Sequence, residues 1–280
     1  METMKKTQLK KIACKIRMGV IEGTFNAKSG HPGGSLSISD LMAYLYFSEL
    51  NVDVNNPAWE DRDRFVLSKG HCAPALYAAL AEKGFFSSDL IKTLRKPDSI
   101  LQGHPSMRYT PGVDMSTGSL GQGISTAVGM ALAGKLKGKD YRVYTILGDG
   151  EIEEGQVWEA AMFAGNKALD NLVAIVDYNN LQIDGTLDEV NSPYPIDKKF
   201  EAFNWNVINI NAHCFDDIEE AFNKAKECKG KPTCIVAKSV KGKGVSFMEN
   251  KCNWHGSAPN EEQYNQAMDE LNKALADLEV

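Results

Sequence analysis

Oxygen-bearing side chains follow two neighbouring strands of the predicted sheet. Asp149 lies between two glycines directly after the apolar run YTIL, and Asn179 follows the next apolar run, LVAIV. Because parallel strands end at the same edge of a sheet, these two side chains are expected to lie close together. Their carboxylate and amide oxygens, with a backbone carbonyl near Leu181, are ligands that Mg²⁺ accepts beside phosphate oxygens. The spacing therefore predicts a site for a divalent cation and a diphosphate.

Four histidines lie in segments rich in glycine or proline. They occur in SGHPGG, SKGH, QGHPS and NWHG, at His31, His71, His104 and His255. Loops often carry functional groups, and an imidazole can bind hydroxyls and move protons. These four residues therefore predict a polar site. The fifth histidine, His213, precedes a predicted helix and is expected to be structural.

Short apolar runs alternate with helical patterns along the chain. Strands are predicted at RFVLS, RVYTIL, LVAIV, NVINI and TCIVA. Helical periodicity covers residues 4–26, 38–50, 73–83, 121–137, 156–168, 218–227 and 261–278. Uniformly apolar strands that alternate with helices are typical of a parallel sheet covered on both faces. The sequence thus predicts a single α/β domain over residues 1–280, with a doubly wound, mostly parallel sheet and ligands bound beyond the carboxyl ends of the strands.

The predicted helix at residues 121–137 has few large side chains. Glycine or alanine occupies Gly121, Gly123, Ala127, Gly129, Ala131, Ala133 and Gly134. Such small residues allow another part of the structure to approach the helix backbone closely. Tight packing on the sheet and contact at a subunit interface both remain possible explanations at this stage.

The composition is that of an ordinary globular protein. The chain has 280 residues, of which 43% are hydrophobic and 24% charged, and its formal net charge is −6. A mild acidic excess without a basic stripe argues against a nucleic-acid surface. No apolar run approaches the roughly 18 residues of a membrane span. The six cysteines lack C-x-x-C spacing, so neither a zinc knuckle nor a disulfide framework is predicted, and the cytoplasm is the expected location.

Taken together, these segments resemble the amino-terminal half of transketolase. The resemblance rests on SGHPGGSLS, DRFVLSKGH, GHP followed by TPGVDMSTGSLGQG, GDGEIEEGQVWEA, NNLQIDG, and KGKGVSFMEN with the later WHG. It runs from about residue 10 to the end of the chain. It implies the thiamine diphosphate-binding fold, in the form of the domain that binds the cofactor's diphosphate (PP-type).

The resemblance assigns residues to thiamine diphosphate and its metal. It implies that Asp149, Asn179 and the carbonyl of Leu181 hold Mg²⁺, or Ca²⁺ or Mn²⁺ in its place. His71 and Gly150 would lie near the diphosphate. The aminopyrimidine ring would contact three consecutive residues, Gly118, Ser119 and Leu120.

The resemblance also assigns residues to the reaction. His31, His104 and His255 match the histidines around the ketose hydroxyls and the proton-transfer steps. Glu154 matches the family's buried acid after GDG and would belong to a carboxylate relay that links two active sites across a dimer. A negative charge at a helix N-terminus, worth about 0.3–1 kcal/mol, is an alternative role that the neighbouring glutamates would serve equally well.

The length of the chain predicts a partner. The family's full chain is more than twice as long, and its second domain carries the groups that activate the aminopyrimidine and bind the sugar phosphate. Because the chain ends in an amphipathic helix, it is expected to be a complete subunit of a split transketolase. With a carboxy-terminal subunit it would form a heterotetramer of two copies of each chain. The expected reaction is transfer of a two-carbon ketol unit from a ketose phosphate to an aldose phosphate, as in the pentose phosphate pathway.

Three other functions remain open from the sequence. Two are enzymatic: a thiamine diphosphate enzyme similar to 1-deoxyxylulose-5-phosphate synthase, and the α subunit of a 2-oxo acid dehydrogenase. The third is a cofactor-binding module without turnover. The KGH and GHP segments favour a sugar enzyme, because histidine-rich loops suit contacts with hydroxyl groups.

Overall fold

The centre of the molecule is a five-stranded sheet. The computed structural model describes residues 1–279. Its strands are β1 (Arg64–Leu67), β2 (Val143–Gly148), β3 (Leu172–Tyr178), β4 (Asn206–Asn211) and β5 (Thr233–Lys238). They lie in the order β1-β2-β3-β5-β4, and every neighbouring pair is parallel. All five predicted strands are therefore confirmed.

Ten α-helices are found within residues 1–279. They are α1 (Thr3–Ala27), α2 (Pro32–Ser37), α3 (Ser39–Tyr44), α4 (Ala73–Lys83), α5 (Gln122–Leu136), α6 (Gly155–Asn166), α7 (Leu187–Val190), α8 (Ile196–Ala202), α9 (Phe215–Glu227) and α10 (Glu261–Ala276). A π-helical turn covers Leu45–Glu49, and 3₁₀ turns cover Gly70–Cys72, Ser88–Thr93, Glu151–Glu153 and Cys252–Trp254. The short helices α7 and α8 were not expected from the sequence. Among the described residues, no helix is both long and apolar enough to cross a membrane.

Helices cover both faces of the sheet, because alternate residues of each strand point to opposite sides. On one face Tyr144, Ile146 and Val173 pack with residues of α1, α3, α4, α9 and α10. On the other face Leu147 and Val176 pack with residues of α5, α6 and α8. These two apolar cores confirm the predicted doubly wound α/β architecture.

The predicted helix at residues 38–50 is wrong in its bounds. Helix α2 begins earlier, because Pro32 fits the first turn of a helix, where its missing N–H group costs nothing. Ile38 then interrupts the helix with φ −97° and ψ 3°, before α3 and the π-helical turn follow. Gly33 and Gly34 concealed this start in the sequence, since glycine has a low helix propensity. As a result, His31 lies directly before α2.

The small residues of α5 pack mainly within the chain. A Cβ atom on Gly123 would lie 2.5 Å from Cα of Ser68, and one on Gly134 would lie 2.9 Å from the ring of Tyr141. Gly129, in contrast, has open space around it. Tight packing on the sheet therefore explains Gly123 and Gly134, but it does not explain Gly129.

Candidate functional site

A cavity of about 280 Å³ lies beyond the carboxyl ends of the strands. It is lined by ten of the residues that the sequence singled out: His31, His71, His104, Gly118, Leu120, Asp149, Gly150, Asn179, Leu181 and His255. Ser119 and Glu154 do not line it, although Ser119 lies between two residues that do. His213 also lies outside this cavity. The structure thus brings most of the predicted site together, as expected for a parallel sheet.

Asp149 is held in place by backbone N–H groups. Its Oδ1 accepts a hydrogen bond from the N–H of Gly150 at 3.0 Å. Its Oδ2 accepts from the N–H groups of Asn179 at 2.8 Å and Asn180 at 2.6 Å. Burial, with the nearby charge of Asp177, raises the pKa of Asp149 to about 7. A cation bound beside this carboxylate would favour its ionised form.

Two further oxygen atoms lie beside Asp149. Oδ1 of Asn179 accepts a hydrogen bond from the N–H of Leu181 at 3.1 Å, while its Nδ2 donates to Asp177 at 3.0 Å, which fixes the orientation of the amide. The carbonyl oxygen of Leu181 accepts from Nζ of Lys241 at 2.8 Å, so it already attracts a positive charge. Carboxylate, amide and carbonyl oxygens are the ligands that Mg²⁺, Ca²⁺ and Mn²⁺ prefer. The residues therefore fit a divalent cation.

The expected metal site uses a single carboxylate. Among residues 1–279, no group of three or more His, Cys, Asp or Glu side chains is placed to hold a metal ion. Mg²⁺ commonly binds to one or two protein carboxylates and takes its other ligands from water and substrate phosphates. The oxygen atoms around Asp149 match this pattern, because they include one carboxylate, one amide oxygen and one backbone carbonyl oxygen.

Three imidazole rings form a cluster in the same cavity. The ring centroids of His31 and His71 lie 5.2 Å apart, those of His31 and His255 5.5 Å, and those of His71 and His255 5.2 Å. Burial lowers the pKa of His31 and His71 to about 4 and that of His255 to about 3. Lys69 lowers the pKa of His71 further, and Lys241 that of His255. The three rings are therefore neutral at pH 7.

The hydrogen bonds of these rings show which ring nitrogens already have a partner. Nζ of Lys241 lies 3.0 Å from Nδ1 of His255, and because an ammonium group can only donate, the ring proton of His255 is on Nε2. Nδ1 of His31 is buried and has no hydrogen-bond partner within the described part of the chain. An unpartnered buried polar atom costs free energy, and a polar ligand in the cavity would remove that cost. The cluster therefore fits a bound polar molecule.

His104 also lines the cavity and lies against the segment that contains Gly118. A Cβ atom on Gly118 would lie 3.2 Å from the His104 ring, and the φ of Gly118 is 153°. Burial lowers the pKa of His104, and the charge of Arg95 lowers it further. Close packing between the ring and this backbone therefore requires glycine at residue 118.

Lys69 and Lys241 are functional candidates that the sequence analysis missed. Lys69 is almost fully buried and donates hydrogen bonds to Asp177 at 2.6 Å and to the carbonyl of Gly34 at 2.9 Å. Asp177 also accepts from Oγ of Ser37 at 2.7 Å and from Oγ of Ser239. The sequence held one signal for them. Both lysines closely follow predicted strands, and ligands of parallel α/β sheets bind beyond the carboxyl ends of the strands.

Glu154, the acid that the resemblance assigns to a relay across a dimer, lies at the surface of the single chain. Glu154 is exposed, because its backbone is extended at the residue before α6 and its side chain makes no capping hydrogen bond. Glu151 is the buried acid, at 3% exposure. It accepts hydrogen bonds from Oγ of Ser68 and from the N–H groups of Gly121 and Gly148. The predicted relay concerns a dimer and stays a prediction.

Comparison with protein families decides the class of protein. Residues 8–274 match the family described as "Transketolase, thiamine diphosphate binding domain". The chain belongs to the transketolase family. The family, the thiamine diphosphate-binding fold and the transferase class predicted from the sequence are therefore confirmed.

Two transketolase relatives have about the same length as this chain. One is the 6-deoxy-6-sulfo-D-fructose transketolase subunit SqwG of Clostridium sp. (strain MSTE9), which is 52% identical over 87% of this chain and 89% of the relative. The other is an apulose-4-phosphate transketolase subunit from Phocaeicola vulgatus, which is 43% identical over 95% of this chain and 94% of the relative. Both relatives are named as subunits.

Other transketolases are much longer than this chain. Human transketolase is 44% identical over 89% of this chain, but the match covers only 39% of the human protein. The solved structure of transketolase from Campylobacter jejuni superposes with a TM-score of 0.89 at 31% identity, over 96% of this chain and 45% of that one. The chain therefore spans less than half of these transketolases.

Proposed function

We propose that this chain binds thiamine diphosphate with a divalent cation and serves as one subunit of a two-subunit transketolase. The observation that carries the proposal is that one cavity combines the oxygen atoms around Asp149 with a cluster of neutral histidines.

We further propose that residues 1–280 form one domain, because both apolar cores lie against the same sheet. The cytoplasm is the proposed location, since the cysteines lack paired spacing.

In this proposal Asp149, Asn179 and the carbonyl of Leu181 hold Mg²⁺, or Ca²⁺ or Mn²⁺, and His71 and Gly150 lie near the diphosphate. Nearby glycine backbone lets phosphate oxygens come close to N–H groups. The positive charges of the cation and Lys241 offset the negative charge of the diphosphate. When bound, thiamine diphosphate supplies a nucleophilic thiazolium carbon that attacks a ketose carbonyl.

The histidines bind and orient the sugar in this proposal. His255 has its proton on Nε2, so it can donate a hydrogen bond to a substrate oxygen while Lys241 holds its other nitrogen. His31 offers an unpartnered nitrogen for a hydroxyl group. His104 lies beside Gly118, where the aminopyrimidine ring would pack. Because the rings are neutral, each can accept a proton and afterwards return it.

A partner subunit would complete the site. The two relatives of matching length are named as subunits, and the longer transketolases contain more than twice as much chain. Leu120 leaves 38% of its surface exposed at the edge of the cavity, where a second chain would shield the aminopyrimidine. We propose a heterotetramer of two copies of each chain, because symmetric dimers are the commonest assemblies. Glu154, exposed in one chain, would contribute to the relay only in such an assembly.

The proposed donor is a ketose with a terminal anionic group. One relative is named for a sulfonated ketose and the other for a sugar phosphate, and both sugars carry an anion at one end. We expect the groups that bind this anion to lie on the partner subunit. A comparison of phosphorylated, sulfonated and unmodified ketoses as donors would test this expectation.

Mixing experiments test the two-subunit proposal. The chain alone should show negligible ketol transfer, because one half-site cannot orient and shield the cofactor. With a transketolase carboxy-terminal subunit it should gain activity that requires thiamine diphosphate and a divalent cation. Turnover by the purified chain alone would contradict the proposal. Tight cofactor binding without turnover in any mixture would instead indicate a cofactor-binding module.

Substitutions around the cation test the metal site. In the two-subunit complex, Asp149→Ala should weaken Mg²⁺-dependent binding of thiamine diphosphate by at least tenfold, or about 1.4 kcal/mol, since it removes the anionic ligand. Asn179→Ala should act in the same direction. Asn180→Gly is the matched control, because the Asn180 side chain accepts from Tyr194 instead and its φ of 65° suits glycine. Calorimetry that finds equal affinities for all these variants would refute the assignment.

A further inference from the structure

A hydrogen-bonded network joins two buried side chains, Arg17 and Asp40, to the half-buried His213. Asp40, at the start of α3, accepts a hydrogen bond from Nη2 of Arg17 in α1. The same carboxylate oxygen lies 2.7 Å from Nδ1 of His213, in the loop before α9. Arg17 and Asp40 are both buried, and none of the three residues lines the cavity. The network therefore does not contact the cofactor site directly.

The network holds the segment after β5 at two points. Nε2 of His213 accepts a hydrogen bond from the N–H of Val240 at 3.0 Å. Nε of Arg17 donates to the carbonyl of Lys243 at 3.0 Å. Because Nε2 of His213 is an acceptor, its ring proton is on Nδ1, where it donates to Asp40. Asp40 therefore selects the tautomer that can bind Val240.

Lys241 lies between these two anchored residues. Its Nζ donates to the carbonyl of Leu181 at 2.8 Å and to Nδ1 of His255 at 3.0 Å, so one ammonium group contacts two predicted site residues. The next residue, Gly242, has φ 78° and donates its N–H to the carbonyl of Gly33 at 2.9 Å. A flexible lysine reaches both partners only if its backbone is fixed. The anchors at Val240 and Lys243 contribute to that constraint, together with the Gly242 bond and a bond from the N–H of Asn250 to the carbonyl of Lys241 at 2.9 Å.

We propose that Arg17, Asp40 and His213 are positioning residues that fix Lys241 in the cofactor site. This inference rests on the proposed binding of thiamine diphosphate. Loss of the bond from Val240 to His213 would release the backbone directly before Lys241. The ammonium group would then leave Leu181 and His255, and the affinity for the negatively charged cofactor would fall.

Two substitutions at residue 213 separate its bond to Asp40 from its bond to Val240. In His213→Gln the terminal polar atoms lie as many bonds from Cα as Nε2 does, so the side chain can still accept from Val240. In His213→Asn they lie at the distance of Nδ1, so the side chain can serve Asp40 but cannot reach Val240. In the complex with the partner subunit, His213→Asn should raise the dissociation constant of thiamine diphosphate about tenfold. His213→Gln should raise it by no more than about threefold.

A double-mutant cycle shows whether the effect passes through Lys241. Lys241→Met removes the ammonium group and should itself weaken cofactor binding about tenfold or more. If His213 acts by positioning Lys241, adding His213→Asn to Lys241→Met should change the dissociation constant by less than about twofold. A merely structural role predicts the same fold-change in both backgrounds.

Hydrogen exchange gives a readout that does not depend on cofactor or activity. In His213→Asn, the amides of residues 239–244 should exchange faster than in the wild type, while those of β3 keep their protection. If this variant does not fold, His213→Phe replaces it. A phenyl ring is similar in size to imidazole but has no nitrogen that could accept from the N–H of Val240.

The outcomes separate this inference from the proposed function. A wild-type complex that does not bind thiamine diphosphate refutes both. If the wild type binds, three results overturn the inference alone: unchanged affinity in Lys241→Met, equal affinities for the two His213 variants, or additive effects in the cycle. Selective loss in His213→Asn, with no further loss beyond Lys241→Met, supports it.

Discussion

The packing of α5 on the end of β1 leads to a quantitative prediction for Gly123→Ala. The added Cβ would lie 2.5 Å from Cα and 2.7 Å from Oγ of Ser68. Cα is a backbone atom in a packed sheet, so the contact cannot be relieved by rotation of a side chain. Overpacking of this kind costs about 1–3 kcal/mol. The higher helix propensity of alanine returns about 0.5–1 kcal/mol, so a net loss of about 1–2 kcal/mol is expected.

Gly129→Ala is the matched control within the same helix. No atom lies within 4 Å of the position that its Cβ would occupy. This variant should therefore gain about 0.5–1 kcal/mol from helix propensity alone. The two substitutions are chemically identical and should have opposite signs.

Urea unfolding of each variant, measured as the free energy of unfolding, tests this prediction. The difference between Gly123→Ala and Gly129→Ala should be about 2 kcal/mol. Gly123→Ala should also weaken cofactor binding, because Ser68 donates to Glu151, which in turn accepts from Gly148 at the cavity. Equal stabilities of the two variants would refute the view that Gly123 is required for packing on the sheet.

Three further predictions concern stability, pH and activity. A Cβ on Gly165 would overlap the carbonyl oxygen of Phe203, so Gly165→Ala should lose more than about 3 kcal/mol and give little folded protein on purification. Burial alone would raise the pKa of Asp40, but Arg17 lowers it to about 2, so the carboxylate stabilises the fold above pH 4 and that stability is lost as the pH falls towards 2. The stability advantage of the wild type over Asp40→Asn should accordingly shrink by about 2 kcal/mol between pH 5 and pH 2 in urea titrations. His31→Ala should lower kcat/KM of the two-subunit complex about 100-fold without changing its melting temperature, and an unchanged kcat/KM would exclude His31 from substrate contact.

The sequence predicted the parts of the site that depend on local pattern. Asp149 and Asn179 follow apolar runs whose strand character is clear, and parallel pairing then brings the two residues together. Lys69 and Lys241 also follow predicted strands, but their burial could not be predicted, because lysine in a glycine-rich loop is normally solvated. They are buried because Asp177 and the carbonyl of Leu181, both distant in sequence, accept their hydrogen bonds.

The sequence also did not show which glutamate after Gly150 is buried within the single chain. Glu151 and Glu154 both lie in one run of acidic residues, and the sequence does not reveal which of them points inward. The turn Glu151–Glu153 is a 3₁₀ turn, and the backbone becomes extended at Glu154 before α6 begins. This change in backbone geometry turns Glu151 towards Ser68 and leaves Glu154 at the surface. Helical periodicity does not describe such a segment.

The residues that line the cavity come from segments spread between His31 and His255, and most of them follow one of four different strands. No part of the chain can form this site unless most of the sheet has already formed. A cofactor that binds here therefore recognises only the folded state and shifts the folding equilibrium by mass action. At a concentration 100 times its dissociation constant, it would add about 2.7 kcal/mol to the free energy of unfolding. The melting temperature, followed against cofactor concentration, would thus measure occupancy of the site and would reveal remote substitutions that loosen the sheet.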